Sequence, residues 1–150
     1  MSLIDPTGFY TEVIIWDPAH SLGSSSFGHV STIINGVSYS FGPKGWDVRQ
    51  ASQYLDLNTL FRSGTGYVLP LSTLQETALK NSFINSQSGY NFLTNNCGTP
   101  VQNGLSNIGV NLGNNLFPSS IGNALGNVPG SSTVPHPEQY GSPLPPGSSF

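Results

Sequence analysis

Apolar residues recur along this chain in two rhythms. In the first half they are dense and rich in β-branched and aromatic types. Residues 10–16 (YTEVIIW) predict a buried strand, ended by Asp17-Pro18. Residues 29–34 (HVSTII) and 37–41 (VSYSF) predict two more, separated by Asn35-Gly36. Asn-Gly is the strongest short hairpin signal, because both central residues of the turn need positive φ. A two-residue turn fixes the register: Ile34 faces Val37, Ser31 faces Ser40 and His29 faces Gly42. His29, Ser31, Ile33, Ser38 and Ser40 then share one face. The Ser/Gly-rich residues 19–28 predict a loop, and residues 1–9 an extended segment with a turn at Asp5-Pro6-Thr7-Gly8. Residues 43–65 read as irregular, with a short helix around 50–62, and 66–70 (GYVLP) as a strand.

Further on the spacing becomes helical. Ser72 followed by Gln75 predicts a capping box, and Leu71, Leu74, Ala78, Leu79 and Phe83 form the apolar stripe of a helix ending near Gly89. Pro100 fits only a first helical turn, so a second helix starts between Asn96 and Thr99. Val101, Leu105, Ile108 and Leu112 are its stripe; Gly104 weakens it and Gly109 stops it. From Pro118 onward the composition changes, with seven of the chain's 12 prolines. This part reads as an extended Pro/Gly/Ser-rich tail. The expected organisation is α+β: a leading segment 1–9, a domain 10–117 with a small antiparallel sheet packed on two helices, and a tail 118–150.

Composition narrows the function classes. At 150 residues the chain is one domain with room for a real core. Charged residues are only 7%, against roughly 25% in ordinary soluble domains, so the surface is polar but largely uncharged. Lys44, Arg49, Arg62 and Lys80 are scattered, and the net charge is −3, which speaks against a nucleic-acid partner. No apolar run spans a membrane, and the N-terminus lacks the pattern of a signal peptide. No glycine loop of phosphate-binding form is present, and one Cys with three scattered His gives no metal-ligand spacing. No cofactor and no metal are expected.

One cysteine excludes an intramolecular disulfide and leaves a thiol for chemistry. Cys97 stands just before a helix start, where unpaired N–H groups favour a thiolate and can hold an oxyanion. The plainer alternative is a buried small hydrophobe. A thiol nucleophile needs a base, usually His. His29 opens a strand of the hairpin, His20 sits in the Ser/Gly loop, and His136 lies between two prolines where exposure is expected. His29 is therefore the expected base. Ser40, on the same hairpin face, is the expected orienting group. Asn95, Asn96 and Gln102 are rival orienters or oxyanion donors, though each is also an ordinary turn or cap residue.

Two resemblances extend these readings. Residues 2–9 (SLIDPTGF) resemble the end of the core shell of rearrangement-hot-spot (Rhs, YD-repeat) proteins, where a segment ending Asp-Pro-x-Gly precedes a variable C-terminal toxin. This implies a secreted polymorphic toxin carried into a competitor by its parent Rhs shell, and a cognate immunity protein. Residues 27–109, with Gly28-His29, the hairpin and Asn96-Cys97, resemble the circularly permuted papain-like superfamily, which includes NlpC-type amidases and lecithin–retinol-acyltransferase-like enzymes. The order His before Cys is that of the permuted form. The resemblance implies a cysteine hydrolase (peptidase, amidase or deamidase, with acyl transfer as a variant). Some members carry a second His near the position of Ser40, and bulkier residues follow the Cys than Gly98-Thr99-Pro100.

The expected activity is thiolate attack on an amide or ester of a protein, a peptidoglycan peptide or a lipid. Two alternatives make different predictions. A metal-independent ribonuclease toxin would pair His20 with His29 and keep activity without Cys97. A non-catalytic binding module would use Cys97 as core filling and recruit a partner through the tail.

Overall fold

A computed structural model describes residues 10–18, 27–86 and 89–139. Its centre is a sheet of six antiparallel strands: β1 (Thr11–Trp16), β2 (His29–Ile34), β3 (Val37–Gly42), β4 (Gly45–Gln50), β5 (Gly64–Leu69) and β6 (Ser132–His136). They lie in the order β4-β3-β2-β1-β5-β6. The helices are α1 (Ala51–Asn58), α2 (Thr73–Ile84), α3 (Thr99–Asn107) and α4 (Pro118–Gly126). The expected α+β class holds, with a larger sheet and more helices than the sequence reading.

β1 and β2 lie in the middle and are covered on both faces, so in β1 the polar Thr11 and Glu12 are buried along with Val13, Ile14 and Trp16. The hairpin forms with the predicted pairs Ile34–Val37 and Ser31–Ser40. Asn35 and Gly36 take φ of 52° and 82°, as the turn requires. The capping box also forms: the Gln75 N–H donates to Ser72 Oγ at 3.1 Å, and the Ser72 N–H donates to Gln75 Oε1 at 2.9 Å.

Side-chain alternation gives the sheet two unlike faces. Val13, Val30, Ile34, Tyr39 and Leu69 face α2, α3 and α4, and join Leu79, Phe83, Val101, Leu105, Ile121, Leu125 and Cys97 in the main core. Gly104, which only weakens a helix by propensity, has a packing reason: a Cβ there would stand 2.7 Å from Leu79 Cδ1. On the opposite face Ile14, Trp16, Ile33 and Tyr54 form a smaller cluster under α1. His29, Ser31 and Ser40 point to this second face, because Trp16 pairs with His29, Ile14 with Ser31, and Ser31 with Ser40.

Three expectations are corrected. The tail drawn over 118–150 begins with ordered structure: Pro118 is the first residue of α4, whose Ile121 and Leu125 are fully buried, and residues 132–136 form an edge strand. Pro135 fits that edge because an edge residue has no ladder bond to lose on its outer side. Residues 45–50, inside the stretch read as irregular, form β4. His136, expected to be exposed, is on β6 with its side chain 14% exposed, bonded to the buried Glu12 carboxylate (Nε2···Oε2 2.5 Å). The segment 1–9 and the loop histidine His20 lie outside the described residues. Among the described residues, no helix is long and apolar enough to cross a membrane, and no group of three His, Cys, Asp or Glu could hold a metal ion.

Candidate active site

His29 is the first residue of β2, and its ring lies on the α1 face. Nε2 is 2.6 Å from Ser40 Oγ, the diagonal neighbour on β3. This contact follows from the Asn-Gly turn, whose register places Ser40 opposite Ser31. Nδ1 has no hydrogen-bond partner among the described residues. Burial, and secondarily the Arg62 charge, push the imidazole pKa down to about 3. At neutral pH the ring is therefore uncharged.

Cys97 is buried immediately before Gly98, the N-cap of α3. Burial pushes the thiol pKa up. Opposing it are the backbone N–H groups of Val30, Cys97 itself and Gly98, and the Arg62 charge. The resting pair is a thiol and a neutral imidazole. No hydrogen bond joins Cys97 Sγ to the His29 ring among the described residues. Cys97 meets β2 through Val30, the neighbour of His29, whose side chain points to the opposite face. The two side chains thus approach one end of β2 from different sides of the sheet, rather than facing each other across one packed layer.

The three amide residues hold the loop. Asn96 Oδ1 accepts from the Gly98 N–H at 3.0 Å and the Thr99 hydroxyl at 3.2 Å, while Nδ2 donates to the carbonyls of Phe92 and Leu116. Gln102 Oε1 accepts from the Asn115 N–H at 2.9 Å, and Nε2 donates to the Asn115 carbonyl at 2.8 Å. Asn95 Nδ2 donates to the Gly89 carbonyl at 2.8 Å. All three side chains bind backbone groups, which gives each of them a structural partner. Of the N–H groups before Pro100, that of Gly98 is taken by Asn96, and that of Thr99 bonds the Asn96 carbonyl at 3.2 Å. Among the described residues no backbone carbonyl accepts from the Cys97 N–H, which is directed at the residue's own sulfur.

The sequence reading missed a polar cluster beneath α1. Trp16 Nε1 donates to Ser31 Oγ at 3.0 Å. Arg62, 8% exposed, donates from Nη2 to Asn58 Oδ1 at 2.6 Å and holds its guanidinium 5.3 Å from the Trp16 ring centroid. Its Nε and the Tyr54 hydroxyl are buried without hydrogen-bond partners. Tyr54, Asn58 and Arg62 stand at i, i+4 and i+8, a helical stripe visible in the sequence. That a stripe carrying Asn and Arg is the buried one has no local signal.

No protein-family model, no curated protein and no solved structure matches this chain.

Proposed function

We propose that this domain is a cysteine hydrolase of permuted papain-like fold, acting as the C-terminal toxin of an Rhs-type carrier and countered by an immunity protein. The observation that carries the reading is the division of the His29 ring. Nε2 is occupied by Ser40, Nδ1 has no partner among the described residues, and the next residue along β2 offers its N–H to Cys97 Sγ. An orienting group on one ring nitrogen, with the thiol bonded by the N–H of the adjacent residue, supports His29 as the general base for Cys97.

In this mechanism Sγ attacks the carbonyl carbon of an amide or ester while its proton passes to His29 Nδ1. The C–S bond forms, and the carbonyl π pair moves onto oxygen, where the Cys97 N–H receives it. Collapse expels the amine or alcohol, which takes the proton from Nδ1 and leaves a thioester on Cys97. Water then attacks the thioester, giving its proton to His29. The carboxylic acid leaves, and Sγ recovers the proton. Because the resting imidazole is neutral, the proton moves with the attack instead of before it.

The test is growth of a bacterial host expressing the domain in cytosol or in periplasm, wild type beside Cys97→Ala and His29→Gln. Arrest by wild type alone supports the reading, and the sensitive compartment narrows the substrate. Equal arrest by all three removes Cys97 from the mechanism. One observation favours a second reading, a binding module: Cys97 is 8% exposed and packed in the main core. That reading predicts a thiol no more reactive than any buried cysteine.

A further inference from the structure

β4 is one edge of the sheet, and the side chain at its centre, Val48, is 54% exposed. An edge strand presents a row of backbone N–H and C=O groups to any strand that comes beside it. The phase of that row follows from the ladder with β3. Gly42 pairs with Gly45, Ser40 with Asp47 and Ser38 with Arg49. Just past the strand, and in the same register, the Ala51 N–H donates to the Gly36 carbonyl at 2.9 Å. Residues 45, 47, 49 and 51 therefore turn their backbone groups toward β3, and Trp46, Val48 and Gln50 turn theirs outward. α1 begins at Ala51 and folds back over Ile14, Trp16 and Ile33, away from this edge. Asp47 and Arg49 stand on the α1 face, bonded to each other at 2.8 Å, with 43% and 38% of their side chains exposed. Trp46 and Val48 stand on the other face, where they line an open cleft with Phe41, Phe83 and Ile84.

We propose that β4 is an interface for a second copy of this chain: two β4 strands pair antiparallel about a two-fold axis at Val48. Outward backbone groups then meet outward groups. Val48 exchanges both bonds with the partner's Val48, and Trp46 pairs with the partner's Gln50. The charges select this register. Asp47 falls opposite the partner's Arg49, and Arg49 opposite the partner's Asp47, at the non-hydrogen-bonded positions where cross-strand side chains are closest. The registers on either side set Asp47 against the partner's Asp47, or Arg49 against the partner's Arg49, which is repulsive. Charge on an edge strand ordinarily keeps copies apart. Here one acid and one base flank Val48 symmetrically, so the edge is complementary to itself. The two Val48 side chains meet on the axis and extend the apolar wall of the cleft. None of this depends on the hydrolase reading.

The test is sedimentation velocity of the purified chain over a concentration series from micromolar to millimolar, with circular dichroism to show that each variant is folded. Wild type is expected to show a reversible monomer–dimer equilibrium. Asp47→Arg and Arg49→Asp each turn both cross-pairs into like charges, and each is expected to lower the association constant at least about tenfold. Mixing these two variants is expected to restore association, because each carries the charges the other lacks. The double exchange Asp47→Arg with Arg49→Asp is expected to restore it within one protein. Val48→Pro removes an outward N–H and no bond to β3, and is expected to abolish the dimer. A wild type that stays monomeric throughout the series overturns the proposal. So does a dimer that survives both single charge variants unchanged, since it then uses another surface, and so does a mixture that associates no better than its components. The charge variants alter exposed side chains, so the outcome stands even where Val48→Pro disturbs folding.

Discussion

On one face of the sheet, Val13, Val30, Ile34 and Leu69 meet α2, α3 and α4 in a core built almost wholly of apolar side chains. On the other, α1 covers a layer in which polar groups are mixed with Ile14, Trp16 and Ile33: His29 on Ser40, Trp16 on Ser31, Arg62 on Asn58, and Glu12 on His136. Both layers are largely buried, with His29 and His136 on the second keeping partial exposure, yet they cost differently. The first gains from every ångström of apolar burial. The second spends desolvation energy that only a complete hydrogen-bond network returns, and it leaves Arg62 Nε and the Tyr54 hydroxyl unbonded. Stability is thus concentrated on one face and the proposed chemistry on the other, with Cys97 reaching the end of β2 from the stable side.

Changes on the two faces are therefore expected to register in different observables. The largest effect is on the apolar face: Leu105 is fully buried between helices, and Leu105→Ala is expected to lower unfolding free energy by about 3 kcal/mol, read by denaturant titration. Next comes the polar face under acid. His29 has a folded pKa of about 3 against about 6.5 when unfolded. Between those values the unfolded chain binds a proton that the folded chain refuses, so stability falls as pH drops below about 6.5 and goes on falling toward pH 3. At pH 5 this amounts to roughly 2 kcal/mol, and denaturant curves for wild type and His29→Gln are expected to diverge by that amount between pH 7 and 5.

Ser40→Ala follows. It removes the partner of His29 Nε2, and with a turned-over substrate kcat is expected to fall about tenfold at unchanged KM, equivalent to about 1.4 kcal/mol of barrier. The smallest effect is at a cap. Ser72→Ala breaks the capping box of α2 and is expected to cost about 1 kcal/mol in stability and nothing in turnover.

What could be read in advance follows the range over which each signal acts. The hairpin, its register and the α2 cap depend on residues within a few positions of each other. Asn35-Gly36 and Ser72-x-x-Gln75 announce them. The diagonal placement of His29 and Ser40 came from the same local rule, and the helix start beyond Cys97 from Pro100. β4 was hidden because Asp47 and Arg49 alternate with Trp46 and Val48 over only a few residues at an exposed edge. α4 and β6 were hidden by their prolines, which suggested a tail although Pro118 opens a helix and Pro135 sits on an edge strand. The contacts of Arg62 with Trp16 and of His136 with Glu12 join residues far apart in the chain, and no periodicity encodes them. For the same reason the expectation that His29 serves Cys97 came without a sign that the two residues approach from opposite sides of the sheet.

The central claim is that Cys97 is a nucleophile served by His29. It is tested most directly by intact-mass spectrometry of the purified domain during reaction with p-nitrophenyl acetate. The account predicts an acetyl thioester on Cys97 that forms and then hydrolyses, absent in Cys97→Ala and formed at least about a hundredfold more slowly in His29→Gln. Acetylation of Cys97 at the same rate in wild type and His29→Gln, with no later loss of the acetyl group, would contradict it.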